Sequence, residues 1–240
     1  MILPKKSLSQ NFLIDHNICK KIINQTRIEN KIVLEIGPGY GSMTKYILDK
    51  NPKKLILVEK DHELVKQLHD IYKDNKKVKI IEKDFLKFEF LNMQNIVIIS
   101  NLPYNVSTKI ILFLLKNNRI ISEMVLMVQK EVALKFDYKI KKMNKYKFLT
   151  YLLSTFRRCF DVSSKVFFPK PRIKSTVVKF KFNKNNYNFE KANNFSKLIF
   201  KNVRKKIYNN INKRKNENIL FSKRVSELTI EELLEIYNLF

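Results

Sequence analysis

The sequence predicts an α/β protein with a doubly wound, Rossmann-like sheet followed by a small C-terminal all-helical domain. Short apolar runs rich in β-branched residues alternate with helical patterns up to residue 130, as in a parallel sheet covered on both faces. All three glycines follow the first run directly, at Gly37, Gly39 and Gly41. A chain of 240 residues can form two domains, which we place at 1–183 and 184–240.

The strands and helices of the first domain are predicted from their hydrophobic periodicity. Near-continuous apolar runs predict buried strands at 31–36, 54–59, 78–82, 95–100 and 123–129. The segments between them predict helices at 42–49, 62–72, 107–116 and 130–139. Two further runs, 156–160 and 175–182, flank a proline-containing loop without a crossover helix, and we therefore expect a hairpin at the end of the sheet.

The C-terminal part is predicted to be helical. Residues 183–188 are polar and predict a linker. Apolar residues then recur every fourth position from Phe195 to Ile211, with lysines on the opposite side. This pattern predicts one amphipathic helix with a cationic outer face. Thr229 followed by Glu232 has the pattern of a capping box and predicts the start of a last helix.

The glycine turn after the first strand predicts a ligand site, because glycine lets a tight turn approach a ligand without a Cβ. The third glycine comes one residue earlier than in a dinucleotide-binding turn, and Pro38 removes an N–H that a pyrophosphate would use. Glu59 ends the second strand and Asp84 lies just past the third, where they can accept from the ribose hydroxyls and the adenine amino group of an adenosine. Together these features indicate S-adenosylmethionine. The alternative for either carboxylate is an ion pair with a lysine.

The clearest catalytic motif follows the fourth strand, at Asn101, Leu102, Pro103 and Tyr104. The exocyclic amine of a nucleobase is a poor nucleophile because its lone pair is delocalised into the ring. We expect the Asn101 side-chain oxygen and the Leu102 carbonyl to accept its two hydrogens and to aim the nitrogen at the methyl donor. Pro103 would fix the backbone, and Tyr104 would stack on an extruded base. The alternative is a simple turn with a packed tyrosine.

The charge balance indicates a polyanionic partner. Lys and Arg number 48 against 22 Asp and Glu, which gives a formal net charge of +26. A compositional bias toward lysine explains part of this excess, but it does not explain two basic stretches without an acid, 139–147 and 201–215. The two cysteines and three histidines lack metal-ligand spacing, so we expect no disulfide and no metal. Without a leader or an apolar span, the expected location is the cytoplasm, away from membranes.

These motifs together resemble the small-subunit ribosomal RNA adenine dimethyltransferases, a likeness that runs nearly end to end. The segments that carry it are 6–13, 35–41, Glu59, Asp84, 101–108, 129–132, 168–171, 173–175 and 204–206. The resemblance implies dimethylation of the N6 amino groups of two adjacent adenosines near the 3′ end of small-subunit rRNA, in an immature ribosomal subunit. It also implies that S-adenosylmethionine is consumed to S-adenosylhomocysteine and that no metal takes part.

The resemblance also assigns individual residues. The implied cofactor-binding residues are Asn11, Leu13, Gly37, Gly39, Glu59, Asp84 and Asn101. Phe168 is implied to contact the target base beside Tyr104, the alternative being a buried loop aromatic. The expected RNA contacts are Lys145, Lys147, Lys201, Arg204, Lys205 and Lys206. We expect a monomer that docks on the ribosomal subunit. The stretch 144–149 departs from the family, because a glycine and an arginine usual there are absent, which puts the loop geometry in question.

Three other functions fit parts of the pattern. A resistance-type methyltransferase of large-subunit rRNA shares the fold and many motifs, but residues 12–13 and the basic terminal stretch favour the small-subunit enzyme. An RNA-binding assembly factor without catalysis would not need Asn101, Pro103 and Tyr104. A basic membrane-surface protein would require a lipid-anchoring segment, and the sequence offers none.

Overall fold

A computed structural model describes residues 10–183, 187–211 and 219–240. Parts of three sequence predictions lie outside these residues: the start of the family motif at 6–9, the middle of the linker at 184–186, and the basic residues Lys213, Arg214 and Lys215. Within the described ranges, no helix combines the length and apolar character that crossing a bilayer requires.

The elements alternate along the first two thirds of the chain. In order they are β1 (Phe12–Leu13), α1 (His16–Ile23), β2 (Ile32–Ile36), α2 (Thr44–Leu48), β3 (Lys54–Glu59), α3 (His62–Tyr72), β4 (Val78–Glu82), β5 (Ile96–Asn101), α4 (Ser107–Lys116), β6 (Ile121–Gln129), α5 (Lys130–Phe136), α6 (Lys145–Leu153), β7 (Ser154–Val162), β8 (Phe167–Phe168) and β9 (Ser175–Phe182). The remaining helices are α7 (Phe189–Ile199), α8 (Ile207–Ile211) and α9 (Ile230–Leu239).

The main sheet has seven strands in the order β4-β3-β2-β5-β6-β9-β7. Neighbouring strands from β4 to β6 are parallel, and β9 joins β6 antiparallel. This arrangement confirms the predicted doubly wound fold. The two runs expected to form a hairpin at the end of the sheet are β7 and β9, which lie next to each other there. The strand order reverses between β2 and β5, and ligands of open α/β sheets bind beyond the carboxyl ends of the strands at such a point.

The strands around this reversal are buried because they are almost entirely apolar. Val33 and Leu34 of β2 and Val97, Ile98 and Ile99 of β5 are fully shielded from solvent. Burying one such side chain contributes about 1.5–3 kcal/mol, so the pairing register of these strands is strongly favoured. That register sets Glu35 opposite Ile99 and brings the glycine turn and Asn101 to the same edge of the sheet.

The described residues divide into two compact units, those within Met1–Ala133 and Phe156–Phe182 and those within Leu134–Thr155 and Asn183–Phe240. This grouping differs from the predicted boundary because Leu134–Thr155 belongs to the second unit. An aromatic cluster explains the difference. The Phe148 ring of α6 lies 5.3 Å from the Phe195 ring of α7 and 5.8 Å from the Tyr237 ring of α9, centroid to centroid.

In the second unit one predicted helix is wrong and one helix was not predicted. The single helix expected from Phe195 to Ile211 is wrong, since α7 ends at Ile199 and α8 begins at Ile207. The Asn210 amide donates to the carbonyls of Ile199 and Asn202 at 3.1 and 3.0 Å, and these bonds stabilise the break. Helix α6 was not expected at all. Its N-cap is Asn144, whose side chain accepts from two backbone N–H groups of the first turn.

Candidate active site

The glycine turn connects β2 to α2, and its backbone requires glycine. Gly37, Gly39 and Gly41 have φ angles of +60°, +58° and +76°, which L-residues with a side chain rarely adopt. A Cβ on Gly39 would lie 2.8 Å from Cδ1 of Phe12, whereas a Cβ on Gly37 would meet nothing within 4 Å. Gly39 therefore lets the Phe12 ring pack closely, and Gly37 faces open space.

A cavity of about 210 Å³ lies beyond the carboxyl ends of the strands, within the first unit. The structure brings almost all of the predicted cofactor and catalytic residues together in its wall. They are Asn11, Leu13, Gly37, Gly39, Glu59, Asp84, Asn101, Leu102, Pro103 and Tyr104. Phe168 is not among the described residues that line this cavity.

Glu59 ends β3 and is held by backbone donors. Its Oε1 accepts from the N–H groups of Lys60 at 2.8 Å and Asp61 at 3.0 Å, and its Oε2 accepts from Gly39 at 3.2 Å. Burial raises the pKa of the Glu59 carboxyl above its ordinary value, while these three bonds act in the opposite direction. The glycine turn and the carboxylate thus fix one another in the cavity wall.

Asp84 follows β4 and forms the ion pair that was the alternative interpretation. Its Oδ2 lies 2.8 Å from Nζ of Lys60, and its Oδ1 accepts from the N–H of Leu86 at 3.0 Å. The Lys60 ammonium holds the pKa of Asp84 below its ordinary value. A carboxylate has about four lone-pair sites, so these two bonds leave acceptor capacity for a ligand amine. The adenine contact remains a prediction.

Asn101, the last residue of β5, has one satisfied and one unsatisfied side-chain group. Its Nδ2 donates to the backbone carbonyl of Asn11 at 2.9 Å, which fixes the orientation of the amide. Its Oδ1 is buried and has no hydrogen-bond partner among the described residues. An unpaired buried acceptor costs about 1–3 kcal/mol, so a donor supplied by a ligand would be bound favourably here.

The residues after Asn101 form a fixed turn. The Leu102 N–H donates to the Met127 carbonyl at 3.1 Å, and the Pro103 carbonyl accepts from the N–H of Val106 at 3.3 Å. The Tyr104 hydroxyl lies 2.8 Å from Oγ of Ser175, a partner that sequence reasoning did not identify because the two residues are far apart in the chain. Burial raises the pKa of the Tyr104 hydroxyl, which therefore stays protonated at neutral pH.

Phe168 lies in β8, which pairs antiparallel with β1 so that Phe168 is opposite Phe12. Its side chain is 48% exposed, so the alternative of a buried loop aromatic is wrong. Phe12 lines the cavity and packs against Tyr40, with ring centroids 4.2 Å apart and the ring planes tilted by 44°. Phe168 is thus paired to a cavity residue and accessible to a large ligand, and its contact with a base remains a prediction.

Glu35 is a cavity residue that the sequence interpretation did not single out. It lies in β2 directly before the glycine turn and is 1% exposed. Its Oε2 accepts from the Thr44 hydroxyl at 2.6 Å. Burial raises the pKa of Glu35 from 4.5 to about 8, with a smaller contribution from the charge of Glu59. The detectable signal was a carboxylate inside an otherwise apolar run.

The predicted RNA-binding residues divide into exposed and buried groups. Lys201, Arg204, Lys205 and Lys206 are exposed in the segment between α7 and α8. Lys145 is half-buried, with Nζ 4.9 Å from the centroid of the Tyr146 ring. The prediction that Lys147 binds RNA is wrong, because its side chain is 4% exposed and its ammonium donates to three backbone carbonyls. Across the described residues, no group of three acidic, histidine or cysteine side chains is arranged to hold a metal.

Comparison with known proteins identifies a matching family. The family model for ribosomal RNA adenine dimethylase matches residues 2–240. The chain is 43% identical over 198 residues to ribosomal RNA small subunit methyltransferase A of Malacoplasma penetrans, which covers 79% of the chain and 71% of that relative. The corresponding protein of Pelagibacter ubique is 38% identical over 205 residues, covering 82% and 77%.

Solved structures share the fold. A dimethyladenosine transferase from Plasmodium falciparum superposes with a TM-score of 0.77 at 23% identity, covering 95% of this chain and 97% of its own. The 23S rRNA methyltransferase ErmE superposes with a TM-score of 0.79 at 19% identity, covering 95% and 98%. At these identities the two structures support the architecture and do not distinguish between substrates.

Proposed function

The chain belongs to the ribosomal RNA adenine dimethylase family, and on this basis we propose that it dimethylates N6 of two adjacent adenosines near the 3′ end of small-subunit rRNA. The methyl donor is S-adenosylmethionine, as in the family. Relatives at 43% and 38% identity are named small subunit methyltransferase A, which favours the small over the large subunit as the substrate. We further propose that the protein acts as a cytoplasmic monomer on an immature subunit.

The cavity suits the methyl donor in shape and charge. Gly37 leaves open space in the cavity, and the carboxyl groups of Glu59 and Asp84 line the same wall, so a ligand with positive charges is favoured there. We propose that Glu59 binds the ribose, Asp84 the adenine amino group, and Asn11 and Leu13 the adjoining wall. When bound, S-adenosylmethionine supplies an electrophilic methyl group on a positively charged sulfonium.

The unpaired Oδ1 of Asn101 is the observation that carries the proposal. It would accept one hydrogen of the target amine, and the Leu102 carbonyl would accept the other. Because Nδ2 is bonded to Asn11 and the next residues form a fixed turn, the acceptor is held before the substrate arrives. Positioning of this kind can account for a large part of a rate enhancement without a covalent intermediate. Tyr104 and Phe168 would contact the faces of the extruded base.

Substitution of Asn101 by alanine tests the proposal. We expect N101A to reduce methyl transfer to unmethylated small subunits by at least ~100-fold, because the amine is no longer oriented. The measurement is transfer of labelled methyl from the donor, followed by separation of the subunits and mapping of the modified base. The matched control is N117A, which removes an amide bonded to the Phe113 carbonyl outside the cavity.

Three results would contradict the proposal. Undiminished transfer by N101A would remove the orienting role of the amide. Label found in the large subunit alone would instead assign the chain to the large-subunit enzymes. Absence of transfer by the unaltered protein, with RNA binding intact, would favour the assembly factor without catalysis.

A further inference from the structure

Lys147 belongs to α6, yet its side chain is used to organise the preceding loop. Its Nζ donates to the carbonyl oxygens of Ile140 at 2.9 Å, Lys141 at 3.1 Å and Lys142 at 3.1 Å. Three consecutive peptide groups thus converge on one ammonium that is almost fully buried. An ammonium has three donor hydrogens, and each of them is matched here to one carbonyl.

The same loop is fixed at both of its ends. At the start, Oδ1 of the buried Asp137 accepts from the N–H of Lys139 at 3.1 Å, and the Asp137 carbonyl accepts from Ile140 at 3.2 Å. At the end, the Asn144 side chain caps α6 through Tyr146 and Lys147. Between these points the Lys147 ammonium binds the carbonyls of residues 140–142, and the Tyr138 ring packs against the Tyr151 ring with 5.4 Å between centroids.

The loop needs such an anchor because of its backbone and its charge. Lys142 has a φ of +66°, a conformation that costs a residue with a side chain about 1–2 kcal/mol. Lys139, Lys141 and Lys142 are exposed, and no acidic residue lies between 138 and 147. Three like charges within four residues repel one another, so an unrestrained loop would spread them apart.

We infer that the buried ammonium of Lys147 holds residues 140–142 in one conformation, so that Lys139, Lys141 and Lys142 form a preorganised surface for RNA phosphates. Lys147 is therefore a positioning residue, and the loop lysines make the contacts. Preorganisation increases affinity because less conformational entropy is lost on binding. The inference rests on the proposed function for the identity of the partner, while the anchoring of the loop is independent of it.

The first test is K147M, which keeps most of the side-chain length and removes the three donors. We expect amide hydrogen exchange at 140–142 to rise at least ~10-fold, because the carbonyls lose their common partner. Affinity for unmethylated small subunits should fall by about tenfold. The slope of log K against log salt concentration should decrease by more than the ~0.7–0.9 that one phosphate contact contributes. The control is K191M, the same change at an exposed lysine of the same unit.

A second variant keeps the inference testable if K147M is poorly folded. The triple change K139Q/K141Q/K142Q alters only exposed side chains, and we expect it to weaken RNA binding as K147M does while the free energy of unfolding stays close to that of the parent. Unchanged exchange in K147M would overturn the anchoring role. RNA binding at parental affinity by the triple variant would overturn the surface. If the parent protein neither binds nor methylates subunits, the proposed function fails, and the exchange comparison still decides the anchoring role.

Discussion

Glu35 shows how one buried carboxyl in the cavity wall can make the stability of the protein depend on pH. It is enclosed by apolar strands, and its described hydrogen bond comes from the Thr44 hydroxyl. The folded protein raises the pKa of Glu35 from 4.5 to about 8, because burial disfavours the ionised form. The folded state therefore retains this proton over a pH range in which the unfolded chain has lost it.

We predict that E35Q flattens the stability profile between pH 5 and pH 8. Because the pKa of Glu35 is raised in the folded state, Glu35 contributes stability that is fully present below pH 4.5 and is lost as the pH rises toward 8. Glutamine does not titrate, so the free energy of unfolding of E35Q should decline less over this range, by up to ~1.4 kcal/mol per pH unit. Urea unfolding at a series of pH values measures it.

The control for this prediction is E29Q, which removes a carboxylate from the exposed surface. If the parent and E35Q lose stability in parallel across the range, Glu35 does not hold its proton in the folded state. The same titration with the methyl donor present would report whether a cationic ligand favours the ionised carboxylate.

Single residues were predictable where their position in the chain fixes their position in space. Glu59 and Asn101 end parallel strands, and strand ends of one sheet necessarily meet at one edge. The sequence did not decide whether Asp84 pairs with a lysine, because Lys60 is distant from it in the chain. It did not reveal the role of Lys147 either, since a lysine in a basic stretch has the same sequence pattern whether its side chain is exposed or buried. The path of the loop backbone at 140–142 decides whether the Lys147 side chain is exposed or buried.

At the level of elements, the strands were easier to predict than the helices of the second unit. Central strands are apolar on both faces, and this continuous pattern leaves little ambiguity. The apolar repeat from Phe195 to Ile211 gives no sign of the helix break, because no glycine or proline marks it. The break is stabilised instead by hydrogen bonds that the Asn210 amide donates. Strands β1 and β8 have two residues each and form only by pairing with one another, so neither segment carries a signal alone.

We predict that N210A destabilises the connection between α7 and α8. The Asn210 amide satisfies the carbonyls of Ile199 and Asn202, and each hydrogen bond contributes about 1 kcal/mol. We expect the free energy of unfolding of N210A to fall by ~1–2 kcal/mol, with faster amide exchange at residues 200–206. N209A, which changes an exposed neighbour, serves as the control. Equal stability of the two variants would show that the break does not depend on Asn210.

At the level of the whole molecule, the question is whether RNA is bound by the net positive charge of the protein or by placed charge, that is, cations held at particular positions on its surface. A formal charge of +26 attracts any polyanion over long distances, and this attraction is screened by salt. Specific docking requires cations fixed where phosphates lie. Lys201, Arg204, Lys205 and Lys206 are exposed and follow one another within a single connection, which makes this group the natural candidate for placed charge.

We predict that changing these four residues to glutamine weakens binding to unmethylated small subunits far more than the same loss of charge elsewhere. Each phosphate contact contributes ~0.7–0.9 to the slope of log K against log salt concentration, so the quadruple variant should lose a slope of up to ~3.6. The comparison is a variant with Lys50, Lys53, Lys73 and Lys76 changed to glutamine, all of them exposed residues of the first unit. Both variants lower the net charge by four, so a purely long-range attraction would weaken equally in the two. Equal salt slopes would therefore assign RNA binding to net charge, whereas a loss confined to the first variant would assign it to the connection between α7 and α8.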